Sequence, residues 1–252
     1  MAIVWGMLAK LLPVLNGMVY SDGDVREYVW RHGNGLAVLL HVVTRALPLE
    51  LRVVTVYTLA NLTQSHHESL QADAARLDAI GVLAALMREV QRNDLSDSDD
   101  DGGLRGRSMQ GNGGRRSDTL CVIMQVLHNL VQSNRENCSA LVFKHSVDSA
   151  SAAADSAAET QHNLLDFISR CCVDGTEPDL RNEAAGVLLS VVEIAIEEGG
   201  HMMQHILAAC LSTLKLLSES FDSSLTSALK ARAQQSVREL EEASSADAGT
   251  KK

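Results

Sequence analysis

Two groups of residues have types and spacings that could bind a metal ion. His201 and His205 lie four positions apart, which would place both imidazoles on one face of a helix, as zinc ligands can be. No Glu follows the first of them, and no third ligand is evident nearby. Residues 97–102 match the opening of a calcium-binding loop, but Ser108 stands where that loop requires a bidentate Glu. The sequence therefore predicts neither a bound metal nor a cofactor.

The same acidic tract carries two candidate phosphorylation sites. Ser96 and Ser98 each have an aspartate three positions further along the chain, the pattern that acidophilic kinases use. A solvated linker without modification is the alternative interpretation. No Ser or Cys stands in a recognisable nucleophile motif, and the glycine-rich stretches lack the Gly-Lys-Ser/Thr ending of a phosphate-binding loop. We therefore predict that the protein is not an enzyme.

A ladder of polar residues at regular spacing is the clearest pattern in the chain. The ending Leu-x-Asn-Leu around Asn61 returns around Asn129, and the interval from Asn16 to Asn61 is 45 positions. The next interval is 68, which falls to 45 when the 23 residues from 94 to 116 are left out. The interval from Asn129 to Ser190 is 61, which falls to 45 without the 16 residues from 146 to 161. A fixed period of this length predicts a stack of helical repeats.

Between these markers the apolar residues recur at helical spacing. Leu36, Leu39, Leu40 and Val43 fall at i, i+3, i+4 and i+7, which predicts one buried stripe on a helix. No segment alternates with a period of two, so an all-α fold is predicted. The predicted helices occupy residues 24–31, 34–46, 49–64, 70–79, 82–91, 118–133, 135–144, 163–172, 180–197, 201–220 and 223–242. The tracts near 94–116 and 146–161 have few apolar residues and are predicted to be disordered insertions.

Residues 2–20 are apolar, but we predict neither a membrane span nor a secretory signal peptide there. Lys10, Pro13 and Gly17 interrupt them, and no positively charged segment precedes them. We interpret them as the third helix of a truncated first repeat, in which Pro13 kinks the helix or starts a new one. Such a repeat would expose an apolar face and favour self-association or assembly with another chain.

The last predicted helix, residues 223–242, is mostly polar, as the outer face of a terminal capping repeat must be. The repeat domain is therefore predicted to span residues 1–243, followed by a disordered tail at 244–252. The net charge of −10 without a clustered basic face argues against nucleic-acid binding. The five cysteines are odd in number and lie mostly in apolar helical pattern, which indicates reduced thiols in a cytoplasmic protein, with the nucleus as the alternative.

Two overlapping tracts, residues 16–43 and 36–62, resemble the armadillo repeat. That unit has a short first helix, a Gly, an apolar second helix and a third helix ending in an Ala-Leu-x-Asn-Leu-like sequence. The resemblance implies a right-handed α-solenoid of about four armadillo-like repeats with two disordered insertions; a HEAT repeat or another α-solenoid is the alternative. It further implies a non-enzymatic scaffold that binds a partner peptide or helix along a concave groove. A chaperone-associated exchange or assembly factor and a permanent subunit of a larger complex are the alternatives built on the same solenoid.

The resemblance also implies which residues line the groove. The Asn position of each third helix faces it, and in the nuclear-import members this Asn hydrogen-bonds the main chain of an extended peptide, while a Trp one turn earlier stacks on basic side chains. No Trp is present at that earlier position here, so we expect a polar or acidic-to-neutral peptide held by the Asn amides. The alternative is that each Asn caps or packs within its own repeat. The residues four positions before the ladder are Leu12, Tyr57, Gln125 and Gly186. The candidate peptide-binding residues are Asn16, Asn61, Asn129, Ser190, Tyr57 and Gln125.

Overall fold

A computed structural model describes residues 2–45, 47–64, 67–96, 112–132, 134–144, 164–174, 177–220 and 225–250. Within these ranges the chain forms helices and no strand, which confirms the all-α prediction. The α-helices are α1 (Ala2–Ser21), α2 (Gly23–Arg31), α3 (Gly35–Thr44), α4 (Leu49–Thr63), α5 (Glu68–Arg76), α6 (Ala79–Ser96), α7 (Asn112–Val131), α8 (Arg135–Ser139), α9 (Leu164–Asp174), α10 (Pro178–Glu198), α11 (Gly200–Glu219) and α12 (Ser227–Thr250). A single π-helical turn, Ala140–Lys144, continues α8.

Several helix ends differ from the sequence-based boundaries. Helix α7 begins at Asn112, inside the tract predicted as the first insertion, and α6 extends to Ser96. Helix α12 continues to Thr250, past the predicted start of the tail, because the residues after 242 contain no proline and no glycine before Gly249. The remainder of the first insertion, residues 97–111, and all of the second, residues 146–161, lie outside the described residues.

The chain divides into two compact units, Met1–Leu130 and Val131–Lys252, and each is described by itself. One repeat domain over residues 1–243 therefore stays a prediction. Helix α1 runs through Pro13 as one uninterrupted helix. No described helix is long and apolar enough to cross a membrane.

In the first unit, helices one repeat apart are joined by hydrogen bonds. Asn61 Nδ2 donates to Asn16 Oδ1 at 2.8 Å, which joins α4 to α1 across 45 residues. Trp30 Nε1 donates to Asp73 Oδ2 at 3.2 Å, which joins α2 to α5 across 43 residues. Because both bonds span close to one predicted repeat, the period found in the sequence is also a spatial period of the fold.

The junction between the first and second helix of a repeat has the same backbone conformation twice. Asn34 before α3 and Asp78 before α6 both have positive φ, 49° and 53°, in the left-handed region that Asn and Asp tolerate better than other side chains. At the first junction the absence of a side chain on Gly35 lets α2 and α3 approach closely. A Cβ on Gly35 would lie 2.7 Å from the Val29 carbonyl oxygen of α2, so any larger residue would push α2 and α3 apart.

The core of the first unit is aliphatic and surrounds one buried cation. The predicted stripe on α3 is fully buried, as are Val56 and Leu59 of α4. Arg52 of α4 is also buried. Its Nε donates to the Val43 carbonyl of α3 at 2.9 Å, and its Nη1 pairs with Glu89 of α6. This one side chain thus connects all three helices and satisfies the charge that its burial would otherwise leave unpaired.

The second unit packs around α10, whose middle turns from Ala184 to Val192 are buried. Helices α9, α11 and α12 lie against it. Arg232 of α12 makes two hydrogen bonds of 2.9 Å to the Glu193 carboxylate of α10, a bidentate geometry suited to a planar guanidinium. Free cysteines occupy part of this core, and the Cys210 thiol on α11 lies 3.9 Å from Ser169 Oγ on α9.

Candidate peptide-binding surface of the first unit

The third helices α1, α4 and α7 of the first unit each keep one face accessible. On α4 the accessible residues include Tyr57 and Asn61, one turn apart, while the neighbouring Val56, Leu59 and Leu62 are buried. On α7 the accessible residues recur every three or four positions, because the intervening Leu, Val, Ile and Met side chains face the core. We call this area the third-helix surface. It comprises Asn16, Tyr57, Asn61, Asp118, Cys121 and Gln125.

The centre of the third-helix surface is the pair of amides from Asn16 and Asn61, both half-buried. Their 2.8 Å bond uses one Nδ2 hydrogen of Asn61 and one lone pair of Asn16 Oδ1. By the donor and acceptor inventory of an amide, the pair still offers the Nδ2 hydrogens of Asn16 and the Oδ1 of Asn61. A donor and an acceptor therefore lie side by side, which suits the N–H and C=O of a peptide main chain.

Tyr57 lies beside two residues that the sequence did not assign to the site. The residue is 38% exposed. Partial burial raises the pKa of the phenol, and the nearby Asp118 carboxylate and Cys121 thiol on α7 raise that pKa further. The phenol therefore stays a neutral hydrogen-bond donor at physiological pH, with a carboxylate close by. The sequence signal for Asp118 was its spacing of seven residues from Gln125, which places both on one face of α7.

The other two ladder positions are buried. Asn129 is only 7% exposed, and its Nδ2 donates to the Ala60 carbonyl at 3.2 Å and to Thr63 Oγ1 at 3.1 Å. The main-chain carbonyl of the same residue accepts from Gln71 Nε2 at 3.0 Å. Asn129 thus fastens α7 to the end of α4 and to α5. Ser190 is 3% exposed and belongs to the second unit.

The structure therefore brings Asn16, Tyr57 and Asn61 together and places half-buried Gln125 on the accessible face of α7. Of the candidate phosphorylation sites, Ser96 is the last residue of α6, whereas Ser98 lies outside the described residues. Among the described residues, no group of three or more His, Cys, Asp or Glu side chains could hold a metal ion.

A small pocket of about 100 Å³ lies between α2, α4 and α5 of the same unit. Its polar side chains are occupied within the fold: Arg26 Nε donates to the Val19 carbonyl at 3.1 Å, and His67 Nδ1 accepts from the Ser69 amide at 3.3 Å. We therefore assign the pocket to the packing of successive repeats. Its lining residues are Gly23, Arg26, Glu27, Trp30, Leu62, His67 and Leu70.

Comparisons with known proteins identify the fold. No protein-family model and no curated protein match the chain. Solved structures do match: an engineered protein from a structural genomics consortium has a TM-score of 0.57 at 14% identity, covering 92% of this chain and 73% of its own. A designed armadillo repeat protein has a TM-score of 0.51 at 12% identity, covering 91% of each chain. The protein therefore has an armadillo-like helical repeat fold, which confirms the resemblance read from the sequence.

Proposed function

We propose that this protein is a non-enzymatic interaction scaffold that binds an extended peptide segment of a partner protein on the third-helix surface. The observation that carries the proposal is the Asn16–Asn61 pair, which presents a donor and an acceptor on an accessible face next to Tyr57. In an extended peptide, the N–H and C=O of one residue point to the same side. The Asn61 Oδ1 would accept from that N–H, and the Asn16 Nδ2 would donate to that C=O.

The Asp118 carboxylate limits which side chains the bound peptide can place near Tyr57. The missing Trp removes the stacking platform for a guanidinium, as the sequence predicts. An acidic side chain above Tyr57 would face the Asp118 carboxylate, which raises the pKa of the Tyr57 phenol. Like charges at short range disfavour binding. We therefore expect a peptide without an acidic side chain at this position, with Gln125 as a further amide contact.

The test uses a random peptide library displayed on phage, selected against the wild-type protein. Binding of the selected peptides is then measured with the double variant Asn16→Ala/Asn61→Ala. Removing both members of the amide pair leaves no unpaired partner inside the protein, so the stability cost is small. Losing the two peptide hydrogen bonds costs about 1–3 kcal/mol, or roughly 5- to 150-fold in affinity.

Gln235→Ala is the matched control, because it removes an exposed amide from α12 in the second unit. Peptides should bind this control as tightly as they bind the wild type. Selected peptides that bind Asn16→Ala/Asn61→Ala equally well would place the binding surface elsewhere.

A cytoplasmic location, with the nucleus as the alternative, and a protein rather than a nucleic-acid partner are parts of the same proposal. A chaperone-associated exchange or assembly factor and a permanent subunit of a larger complex remain the alternative functions. An affinity purification from cells distinguishes the three. Transient peptide-bearing partners support the proposal, whereas a chaperone ATPase or one stoichiometric neighbour supports an alternative. Association through the N-terminal helix α1 would provide a second contact surface, independent of the peptide site.

A further inference from the structure

A carboxylate and a phenol lie close together at one end of the third-helix surface. Asp118 on α7 is exposed, and Tyr57 on α4 is 38% exposed. Among the described residues, neither the Asp118 carboxylate nor the Tyr57 hydroxyl has a hydrogen bond or an ion pair. The two groups are close enough for the carboxylate to contribute to the raised pKa of the phenol. Two oxygen atoms that accept hydrogen bonds are therefore accessible at one place.

The packing of α7 on α4 explains why these two side chains meet. Asn129 donates to the Ala60 carbonyl and to Thr63 Oγ1, which aligns the last turns of the two helices. Equivalent helices of stacked repeats run in the same direction. Tyr57 lies about one turn before Ala60, and a long helical side chain leans further towards the N-terminus of its helix. The hydroxyl therefore lies beside the N-terminal half of α7, which contains Asp118.

The other charged group on this side of α4 is also acidic. Glu50 is exposed in the first turn of α4, seven residues before Tyr57 and so on the same face of the helix. Glu50 has no ion pair among the described residues. Arg52 is the one lysine or arginine whose side chain the structure describes on α4 or α7, and it is buried. This end of the surface therefore attracts a cation.

We propose that the bound peptide carries a lysine whose ammonium lies between the Asp118 carboxylate and the Tyr57 hydroxyl. The inference rests on the proposed function, because the Asn16–Asn61 pair supplies the main-chain contacts. Asn61 and Tyr57 are one turn apart, a distance of about 6 Å that an extended lysine side chain can span. The ammonium has three N–H donors, which are enough for the carboxylate and the hydroxyl together.

This lysine changes the expected charge of the peptide. The expectation of a polar or acidic-to-neutral peptide rests on the missing Trp and does not include Asp118, which lies beside Tyr57 only in the fold. Lysine needs no aromatic platform here, because its charge is met by a carboxylate and its methylene groups can lie along the Tyr57 ring. Acetylation of the lysine removes the charge and should therefore release the peptide.

Selection of the displayed peptide library tests the choice of lysine. Peptides selected on the wild type should share a lysine at one fixed position, and peptides selected on Asp118→Asn should not. Asp174→Asn is the matched control, because it removes the same charge from an exposed aspartate at the end of α9 in the second unit. Peptides selected on this control should keep the lysine. Circular dichroism should show that both variants are as helical as the wild type.

Isothermal titration calorimetry with one selected peptide tests the partner of the lysine. The wild type should bind this peptide roughly 5- to 30-fold more tightly than the same peptide with acetyl-lysine, as expected for a charge-assisted contact that water can still reach. Asp118→Asn should bind the two peptides equally, because it lacks the carboxylate that distinguishes them. Equal binding of the two peptides by the wild type, or an undiminished preference in Asp118→Asn, would overturn the inference.

The lysine contact and the proposed function fail in different ways. Peptides that need Asn16 and Asn61 but share no lysine would overturn the lysine contact and leave the peptide-binding surface in place. Peptides that prefer lysine through Asp118 but bind Asn16→Ala/Asn61→Ala as tightly as the wild type would overturn the amide contacts and leave the lysine contact in place. A library that yields no binding peptide would overturn both.

Discussion

Substituting Asn129 tests which residues of the polar ladder stabilise the fold and which are available to bind a peptide. Its side chain is buried and donates to the Ala60 carbonyl and to Thr63 Oγ1. Each hydrogen bond contributes about 0.5–1.5 kcal/mol net, so Asn129→Ala should lower the free energy of unfolding by about 1–3 kcal/mol. Asn61→Ala is the matched comparison at the equivalent position one repeat earlier. It loses one bond at a half-buried site that water can reach, so we expect less than about 1 kcal/mol.

Equilibrium unfolding in urea, followed by tryptophan fluorescence, measures the difference. Both tryptophans, Trp5 and Trp30, lie in the first unit, so their signal reports the unit that contains the substitution. With a slope of about 2 kcal/mol per molar urea, the midpoint of Asn129→Ala should fall by about 0.5–1.5 M. Thr63→Val removes one of the two acceptors and should show a measurable part of this loss. Equal midpoints for Asn129→Ala and Asn61→Ala would refute the structural assignment of Asn129.

Three further predictions concern the core and the site. Arg52→Met should cost about 1–3 kcal/mol, because it leaves a buried carbonyl unpaired. Glu89→Gln should cost a comparable amount, because it leaves the buried Arg52 guanidinium without its counter-charge; urea midpoints measure both. Burial raises the pKa of the Cys210 thiol to about 12, so a thiol reagent at pH 8 should modify Cys210 only after unfolding. Above pH 9.0, the ordinary thiol pKa, the unfolded chain loses this proton and the folded chain keeps it, so the free energy of unfolding should fall as the pH rises. Asp118→Asn should lower the raised pKa of Tyr57, seen as phenolate absorbance that develops at lower pH than in the wild type.

Much of the fold follows from spacing along the chain. The 45-residue interval between Asn16 and Asn61 predicts a repeat, and the two side chains are hydrogen-bonded to each other. The period of the apolar residues on α3 predicts its buried face, because a helix in a repeat has one inner side and the sequence must place its leucines there. These features are local or recur at a fixed interval, which is why one sequence suffices to find them.

The candidate site was harder to predict because it depends on contacts between distant helices. The same residue type has different roles at equivalent positions: Asn61 is half-buried, whereas Asn129 is enclosed by α4. The sequence left these two roles open, since nothing near Asn129 shows how closely the preceding repeat approaches it. Asp118 lies far from Tyr57 in the sequence and beside it in the fold. From the sequence alone Arg52 would be expected on the surface, but in the fold it is buried and connects three helices.

The bonds that join helices one repeat apart also determine how the first unit should lose its structure. Asn16–Asn61 and Trp30–Asp73 each connect a helix to its counterpart in the adjacent repeat. In such an arrangement the stability is close to a sum of intrinsic and nearest-neighbour terms, and opening can begin at one end. Helix α1 has four large apolar side chains exposed, whereas the equivalent positions of α4 are buried. Its amides should exchange with solvent deuterium before those of α4, in a partial opening that leaves the rest of the unit folded.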